Sequence, residues 1–423
     1  MDFFTRDHYR HAVEKIAKSS HISEKEIAAY AIKLSNESFE RKDADPAKWH
    51  VGYYLVDKGT CEVEKYAAMK TSVVEMLRKQ FNRIPLTGYI GSIILFTFLF
   101  SWPLWTRIQS EGLIEWWDVL ACVIIVLGTS QLALTVTNWL ATQIIRPFLL
   151  PRLDLSKGIQ EKFSSMVVIP TMLNSIYDIE KLVEGLEVRF LANRDAHLYF
   201  ALLTDFKDAA EEHIAGDEAL LLTVKDKIIE LNKKYGRIRN DTFFLFHRPR
   251  KWNKQDKIWM GFERKRGKLG ELNALLRGQG RENFSVIVGE EDVFGKIKYI
   301  ITLDTDTQLP RDAAWKMIGT LAHPLNHALY SEKKQRVVQG YTILQPRVSN
   351  SLPMEGSSLY ARLHGNEPGT DPYTRAISDV YQDLFREGSF IGKGIYEIDA
   401  FEKALDNRFP DNRLLSHDML EGC

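Results

Sequence analysis

The sequence predicts an α/β domain with a mostly parallel sheet and flanking helices, preceded by two transmembrane helices and an N-terminal helical segment. Charge-free apolar runs lie at 84–106 and 119–145, and each exceeds the roughly 20 residues that cross a bilayer as a helix. After Pro151, short apolar runs alternate with amphipathic stretches, a pattern typical of strands alternating with helices. We therefore expect three regions: a helical segment at 1–83, two transmembrane helices at 84–145 and the α/β domain at 160–423.

The composition excludes several classes of protein. The 56 basic and 56 acidic side chains give a formal net charge of zero, so we expect no nucleic-acid partner. Hydrophobic residues make up 45% of the chain, which excludes wholesale disorder. The three cysteines are far apart in the sequence, which argues against a disulfide framework and a cysteine-rich metal site.

The N-terminal segment reads as helices. Apolar positions recur at helical spacing over 4–18 and 23–34. Ser23 and Glu26 have the spacing of a capping box. A juxtamembrane helix is predicted at 71–81.

The charges around the two apolar runs predict an orientation in the membrane. Four basic residues lie between 70 and 83 and three between 146 and 157, whereas the connecting segment has one arginine beside three acidic residues. The positive-inside rule therefore places the N-terminal segment and the α/β domain in the cytoplasm. The lipid bilayer is a predicted partner.

Five short apolar runs predict the strands, and helices are predicted at 176–191 and 217–235. Because both faces of such a sheet are covered, ligands bind beyond the carboxyl ends of its strands. The predicted strands are 166–170, 198–203, 242–246, 297–303 and 336–344.

Polar residues follow three of these strands. They are Thr171, Asp205 and the pair Asp304 and Asp306. The pair can hold a hard divalent cation such as Mg²⁺ or Mn²⁺, which takes one or two carboxylates and completes its shell with diphosphate oxygens and water. A strand-end turn remains an alternative for the pair, and Asp205 alone also fits an N-cap.

A glycine-flanked lysine, Lys268, follows a basic run at 264–266. It can approach a phosphate as a point charge, and a helix beginning near Leu269 would add its N-terminal dipole. The basic run equally fits a solvated face.

A second glycine-rich segment covers 387–394 and would let a ligand approach the backbone. It is not a Walker A motif, because Lys393 is followed by Gly394. A structural turn is an alternative.

The order of these motifs resembles the glycosyltransferase portion of bacterial cyclic β-1,2-glucan synthases, which are related to processive inverting GT-A transferases such as cellulose synthase. The motifs are Gly-Lys-Leu-Gly-Glu-Leu-Asn from Gly267, Asp-Thr-Asp-Thr-Gln-Leu-Pro from Asp304, Glu-Gly-Ser-Phe-Ile-Gly-Lys-Gly from Glu387 and Ser-His-Asp-Met-Leu-Glu-Gly from Ser416.

The resemblance implies a GT-A domain tethered to the bacterial inner membrane and facing the cytoplasm. It would move glucose from UDP-glucose to a growing β-1,2-glucan with inversion, using Mg²⁺ or Mn²⁺. Carried over by position, the donor would be held by Thr171, Asp205, Lys268 and Asp304, the metal by Asp306 and Asp304, and the acceptor by Gly388, Ser389, Phe390 and Gly392, with Asp418 as the catalytic base.

Processive relatives carry a later tryptophan motif, whereas the last tryptophan here is Trp315. The sequence therefore predicts a C-terminally truncated domain, and a donor-binding, non-catalytic membrane protein is an alternative.

Residues 300–307 also resemble the Asp-x-Asp-x-Thr signature of haloacid-dehalogenase-type phosphatases, with Asp304 as nucleophile. Asp379 and Asp383 have the spacing of the later acidic motif but read as helical. This phosphatase is the less favoured alternative.

Overall fold

The computed structural model describes residues 1–43, 45–69, 85–110, 115–144, 149–235, 241–346, 348, 385, 390–405 and 408. Several predictions lie outside these residues. They concern the juxtamembrane helix at 71–81, the acceptor residues Gly388 and Ser389, the catalytic base Asp418, and the phosphatase residues Asp379 and Asp383.

The described helices are α1 Phe3–Lys18, α2 Glu24–Glu40, α3 Val51–Val56, α4 Thr60–Tyr66, α5 Pro85–Gln109, α6 Glu115–Ile144, α7 Ile176–Ala192, α8 Asp217–Tyr235, α9 Arg264–Leu276, α10 Ala313–Leu321 and α11 Ile398–Leu405. The strands are β1 Ser165–Leu173, β2 Leu198–Phe206, β3 Phe243–Arg248, β4 Lys251–Asn253, β5 Ile258–Met260, β6 Val286–Val288, β7 Tyr299–Thr302, β8 Leu329–Ser331, β9 Arg336–Gln339, β10 Ile343–Leu344 and β11 Gly394–Glu397.

Seven of the described strands form the central sheet, in the order β10-β11-β7-β1-β2-β3-β6. The inner strands β7, β1, β2 and β3 are parallel, whereas β10, β11 and β6 pair antiparallel at the two edges. The predicted α/β class with a mostly parallel sheet, flanking helices and two apolar helices is confirmed.

Both faces of the sheet are buried. Along β1, Val167 and Ile169 pack into the core under α7, α8 and α10, while Met166 and Val168 pack into a second core with α9 and α11. Successive side chains of a strand point to opposite faces, so a continuous apolar run is what a doubly covered sheet needs.

The N-terminal helices α1–α4 have a core of their own and belong to the same compact unit as the α/β domain. The predicted capping box is present: Ser23 accepts from Glu26 N, and Glu26 accepts from Ser23 N. Asp2 accepts from Arg152 Nε at 2.8 Å, and the rings of His50 and His323 lie 4.8 Å apart.

The helices α5 and α6 belong to a second unit. They are long and apolar enough to cross a membrane, over Leu86–Gln109 and Trp116–Ala141. Ser101 and Thr129 hydrogen-bond between them at 2.6 Å. Most of the large apolar side chains that the structure describes on these two helices are exposed.

Two sequence predictions differ from the structure. The run at 336–344 is divided between β9, which pairs with β8, and β10, which joins the main sheet. Gly340 separates them at φ +72°, where a Cβ would lie 1.9 Å from the backbone oxygen of His327. The helix predicted to begin near Leu269 begins at Arg264, so Lys268 lies in its second turn and receives no N-terminal dipole.

Candidate functional site

The carboxyl ends of β1, β2, β3 and β7 meet at one edge of the sheet. Thr171 pairs in register with Thr204, and Asp205 pairs in register with Arg248. Asp304 comes two residues after the end of β7. This edge therefore holds the polar strand-end residues that the sequence singled out.

The first group at this edge is the buried ion cluster, defined as Asp205, Arg248, Lys268 and Glu271. Arg248 donates from Nε to Asp205 Oδ1 and from Nη2 to Asp205 Oδ2, both at 2.9 Å. Its Nη1 donates to Glu271 Oε2 at 2.8 Å. Lys268 Nζ lies 3.0 Å from Asp205 Oδ2 and donates to the backbone oxygen of Thr171 at 2.8 Å. Three of the four residues predicted to hold the donor are thus in direct contact.

Three members of the cluster are almost inaccessible to solvent, since Asp205 and Arg248 are each 2% exposed and Lys268 is 4% exposed. The Glu271 side chain is 20% exposed and also pairs with Lys251 Nζ at 2.9 Å. Burial opposes ionisation of Asp205, yet Lys268 and Arg248 outweigh this and hold the pKa of Asp205 below its usual value. Gly261 makes room for the carboxylate, since a Cβ there would lie 2.1 Å from Asp205 Oδ2. The cluster is therefore a largely buried, ionised group that fixes the ends of β2 and β3 to α9.

His247 extends this buried region by one residue. It is fully buried, and its Nδ1 lies 2.8 Å from the Thr204 hydroxyl. Within the described residues its Nε2 makes no hydrogen bond. Burial lowers the pKa of His247 to about 4, so the imidazole is neutral at physiological pH.

The second group at the edge is the lysine bridge, defined as Lys265, Asp304, Lys393 and the backbone oxygen of Gly392. Lys265 Nζ donates to Asp304 Oδ1 and to Gly392 O, both at 2.8 Å. Lys393 Nζ lies 3.0 Å from Asp304 Oδ2. The Asp304 side chain is 37% exposed. Partial burial opposes its ionisation, but the two lysines hold the pKa of Asp304 below its usual value.

Arg189, on α7, holds the turn that follows β7. Its buried guanidinium donates from Nε and Nη2 to Thr307 O at 3.0 and 2.7 Å, and from Nη2 to Thr305 O at 2.8 Å. Asp306 is exposed on the same turn. The turn is thus fixed through its backbone, which leaves the Asp306 carboxylate facing solvent.

The carboxylate oxygens of Asp304 and Asp306 are ligands that suit a hard divalent cation. Within the described residues, no group of three or more His, Cys, Asp or Glu side chains forms a metal cluster. Mg²⁺ commonly binds one or two carboxylates and completes its shell with phosphate oxygens and water. The predicted metal ligands therefore stay a prediction.

A cavity of about 350 Å³ lies between α9, β11 and α11. Its lining combines aromatic rings, such as Phe390 and Tyr396, with Lys265 and Gly392 of the lysine bridge. Thr302 also lines it; this side chain is 1% exposed, and its hydroxyl makes no hydrogen bond within the described residues. Two residues predicted for the acceptor, Phe390 and Gly392, thus line one cavity.

Sequence reasoning missed several residues at this edge. Arg248 ends β3 and could have been found by inspecting that strand end. Lys265 lies in a basic run that also fits a solvated face, and Lys393 entered the sequence analysis only within the glycine-rich segment, where its neighbour Gly394 excluded a Walker A motif. The N-cap alternative for Asp205 is wrong, because the next helix begins at Asp217.

The comparisons with known proteins bear on the whole chain. No family model matches it. Cyclic beta-(1,2)-glucan synthase NdvB from Rhizobium meliloti (strain 1021) is 36% identical over 425 residues, which cover 100% of this chain and 15% of that protein. The chain thus spans a small part of its relative's length. The resemblance inferred from the motifs is confirmed: along its entire length, this chain is related to a cyclic β-(1,2)-glucan synthase.

Proposed function

We propose that this chain is a membrane-bound glucosyltransferase of GT-A type that moves glucose from UDP-glucose to a growing β-1,2-glucan with inversion. The observation that carries the proposal is the direct contact of Thr171, Asp205 and Lys268 at the edge that also holds Asp304. Its relationship to a glucan synthase supports the same reaction class.

Each group at the edge has a role in this reaction. The buried ion cluster and Thr171 shape the uridine end of the donor site, and Asp304 contacts the donor. Asp304 and Asp306 would hold Mg²⁺ or Mn²⁺, which supplies charge neutralisation for the diphosphate leaving group.

The acceptor glucan enters beside the glycine-rich segment that includes Gly388, Ser389, Phe390 and Gly392. Aromatic rings and polar groups around the 350 Å³ cavity suit a sugar ring. Asp418 takes the proton of the acceptor 2-hydroxyl as that oxygen attacks the anomeric carbon. General-base assistance of this kind contributes about 10²–10⁴-fold.

The two apolar helices and their flanking charges support the proposed location. In this proposal the protein spans the bacterial inner membrane with α5 and α6, and the α/β domain faces the cytoplasm.

The test is calorimetric titration of UDP-glucose into the detergent-solubilised chain with and without Mn²⁺. We expect Mn²⁺-dependent binding that Asp306→Asn abolishes. Asp226→Asn is the matched control, because Asp226 is an exposed carboxylate on α8. Asp418→Asn should bind the donor normally and transfer glucose about 10²–10⁴-fold more slowly. Metal-independent binding, or equal binding by Asp306→Asn, would contradict the metal assignment, and donor binding without any transfer would contradict the activity.

A further inference from the structure

We propose that Lys265 and Lys393 are the side chains that bind the diphosphate of the nucleotide-sugar donor. Lys268 instead has a structural role, in which it pairs with Asp205 and holds the end of β1 through Thr171 O. This inference rests on the proposed function, because it assigns a subsite of the same reaction. It also reverses the sequence-based expectation for Lys268.

Accessibility separates the three lysines. The Lys268 side chain is 5% exposed, and its ammonium group already contacts Asp205 Oδ2 and Thr171 O. A phosphate could reach the Lys268 ammonium group only if these buried contacts were broken. Asp205 would then lose one of its cationic partners while still buried, which is costly. Lys265 and Lys393 are 29% and 22% exposed, so a ligand can approach both from solvent.

Charge balance favours an anion at the lysine bridge. One carboxylate, Asp304, is shared by two ammonium groups. The neighbouring Asp306 adds a negative charge, but Arg189 beneath the turn adds a positive one. The sum over these five side chains is +1.

The position of Lys265 strengthens the assignment. It is the second residue of α9, a helix of 13 residues, and the N-terminus of a helix favours anions. Its Nζ also donates to Gly392 O, within the segment predicted to hold the acceptor. A diphosphate that takes over this ammonium group would therefore release the Gly392 carbonyl.

The experiment is calorimetric titration of the detergent-solubilised chain in the presence of Mn²⁺, using uridine, UMP, UDP and inorganic pyrophosphate as separate ligands. We expect Lys265→Met and Lys393→Met each to weaken UDP and pyrophosphate binding by about tenfold to a hundredfold, the effect of losing one charge-assisted hydrogen bond. Uridine affinity should not change. Lys393→Arg, which keeps the charge, should retain most of the UDP affinity.

Lys234→Met is the matched control, since Lys234 makes an equally close ion pair with Glu187 on the helical face of the domain, at 2.8 Å. It should bind all four ligands as the unaltered chain does. Any loss of UDP binding in this control would show that removing a surface lysine is enough, and would overturn the assignment.

The remaining outcomes separate this inference from the proposed function. UDP affinity that is unchanged in both variants, or equal losses for uridine and UDP, would overturn the lysine assignment and leave the donor assignment standing. Lysine-dependent pyrophosphate binding with no contribution from uridine would support the lysine assignment and overturn UDP-glucose as donor. An unaltered chain that binds none of the four ligands would overturn both.

Discussion

Asp205 and Asp304 leave strands at the same edge of the sheet, and each contacts two cationic side chains. Asp205 is buried with Arg248 and Lys268, whereas Asp304 is about one-third exposed with Lys265 and Lys393. A buried charge must keep its partners, because an unpaired charge in the interior is costly. Partners near solvent are held weakly and can exchange for a ligand. A carboxylate paired with two cationic side chains thus stabilises the fold at Asp205, where it is buried. At Asp304, where it is partly exposed, the same arrangement leaves cationic groups available to a ligand.

The largest expected effect comes from breaking the buried group. Arg248→Met leaves Asp205 and Glu271 each without one partner, so we expect it to lower the free energy of unfolding by about 3–5 kcal/mol. Chemical denaturation of the detergent-solubilised chain measures this change.

Arg277→Met is the control for that variant. Arg277 makes a two-pronged contact with Asp399, as Arg248 does with Asp205, but at a surface where Asp399 is 65% exposed. Arg277→Met should lower the free energy of unfolding by less than about 1 kcal/mol. Equal losses for the two arginines would contradict the difference drawn between buried and exposed groups.

Acidification should affect the buried region through His247. Its pKa is about 4 in the folded protein and 6.5 for the unperturbed side chain. Between these values the unfolded chain binds the extra proton, so the stability contributed by neutral His247 is complete above pH 6.5 and declines as the pH falls. From pH 7 to pH 5 the loss is about 2 kcal/mol.

Thermal unfolding at pH 7 and pH 5 tests this with His247→Gln, which keeps a polar partner for Thr204 and cannot titrate. Asp205, Asp217, Lys268 and Arg248 contribute to the same local field and are unchanged in the variant. The variant should lose less stability on acidification than the unaltered chain. Equal losses would show that His247 is not the titrating group.

The smallest effect is expected at the lysine bridge. Lys265→Met and Lys393→Met should each change the free energy of unfolding by less than about 1 kcal/mol, because ion pairs of partly exposed side chains contribute little to stability. Denaturation curves measured beside those of Arg248→Met provide the test. A loss as large as that of the arginine variant would make the lysines structural and remove the contrast.

Local patterns were sufficient for much of this fold. The apolar runs located β1, β2, β3 and β7, and the amphipathic run at 217–235 matches α8 in both bounds. These elements depend on side chains near in sequence. The division of 336–344 could not be predicted, because it depends on the close approach of Gly340 to the backbone of His327.

The site residues also fall into those that local sequence could predict and those that it could not. Asp205 and Asp304 could be found because each lies at or just beyond the carboxyl end of a strand. Arg248, Lys265 and Lys393 needed the register of neighbouring strands and the packing of α9 against them, and these are contacts between residues distant in sequence. The burial of Lys268 could not be predicted either. Its glycine neighbours suggested that a phosphate could approach it, whereas the structure places its ammonium group in buried contacts with Asp205 and Thr171.

The packing of residues 1–69 against the α/β domain has a consequence for topology. Asp2 contacts Arg152, and Leu325 joins the core of the N-terminal helices. Two segments that share one folded core must lie on the same side of any membrane. The chain between them can therefore cross a bilayer only an even number of times, and the two apolar helices meet this parity. The core of the N-terminal helices is also completed only after both helices have been synthesised, because Leu325 follows them in the sequence.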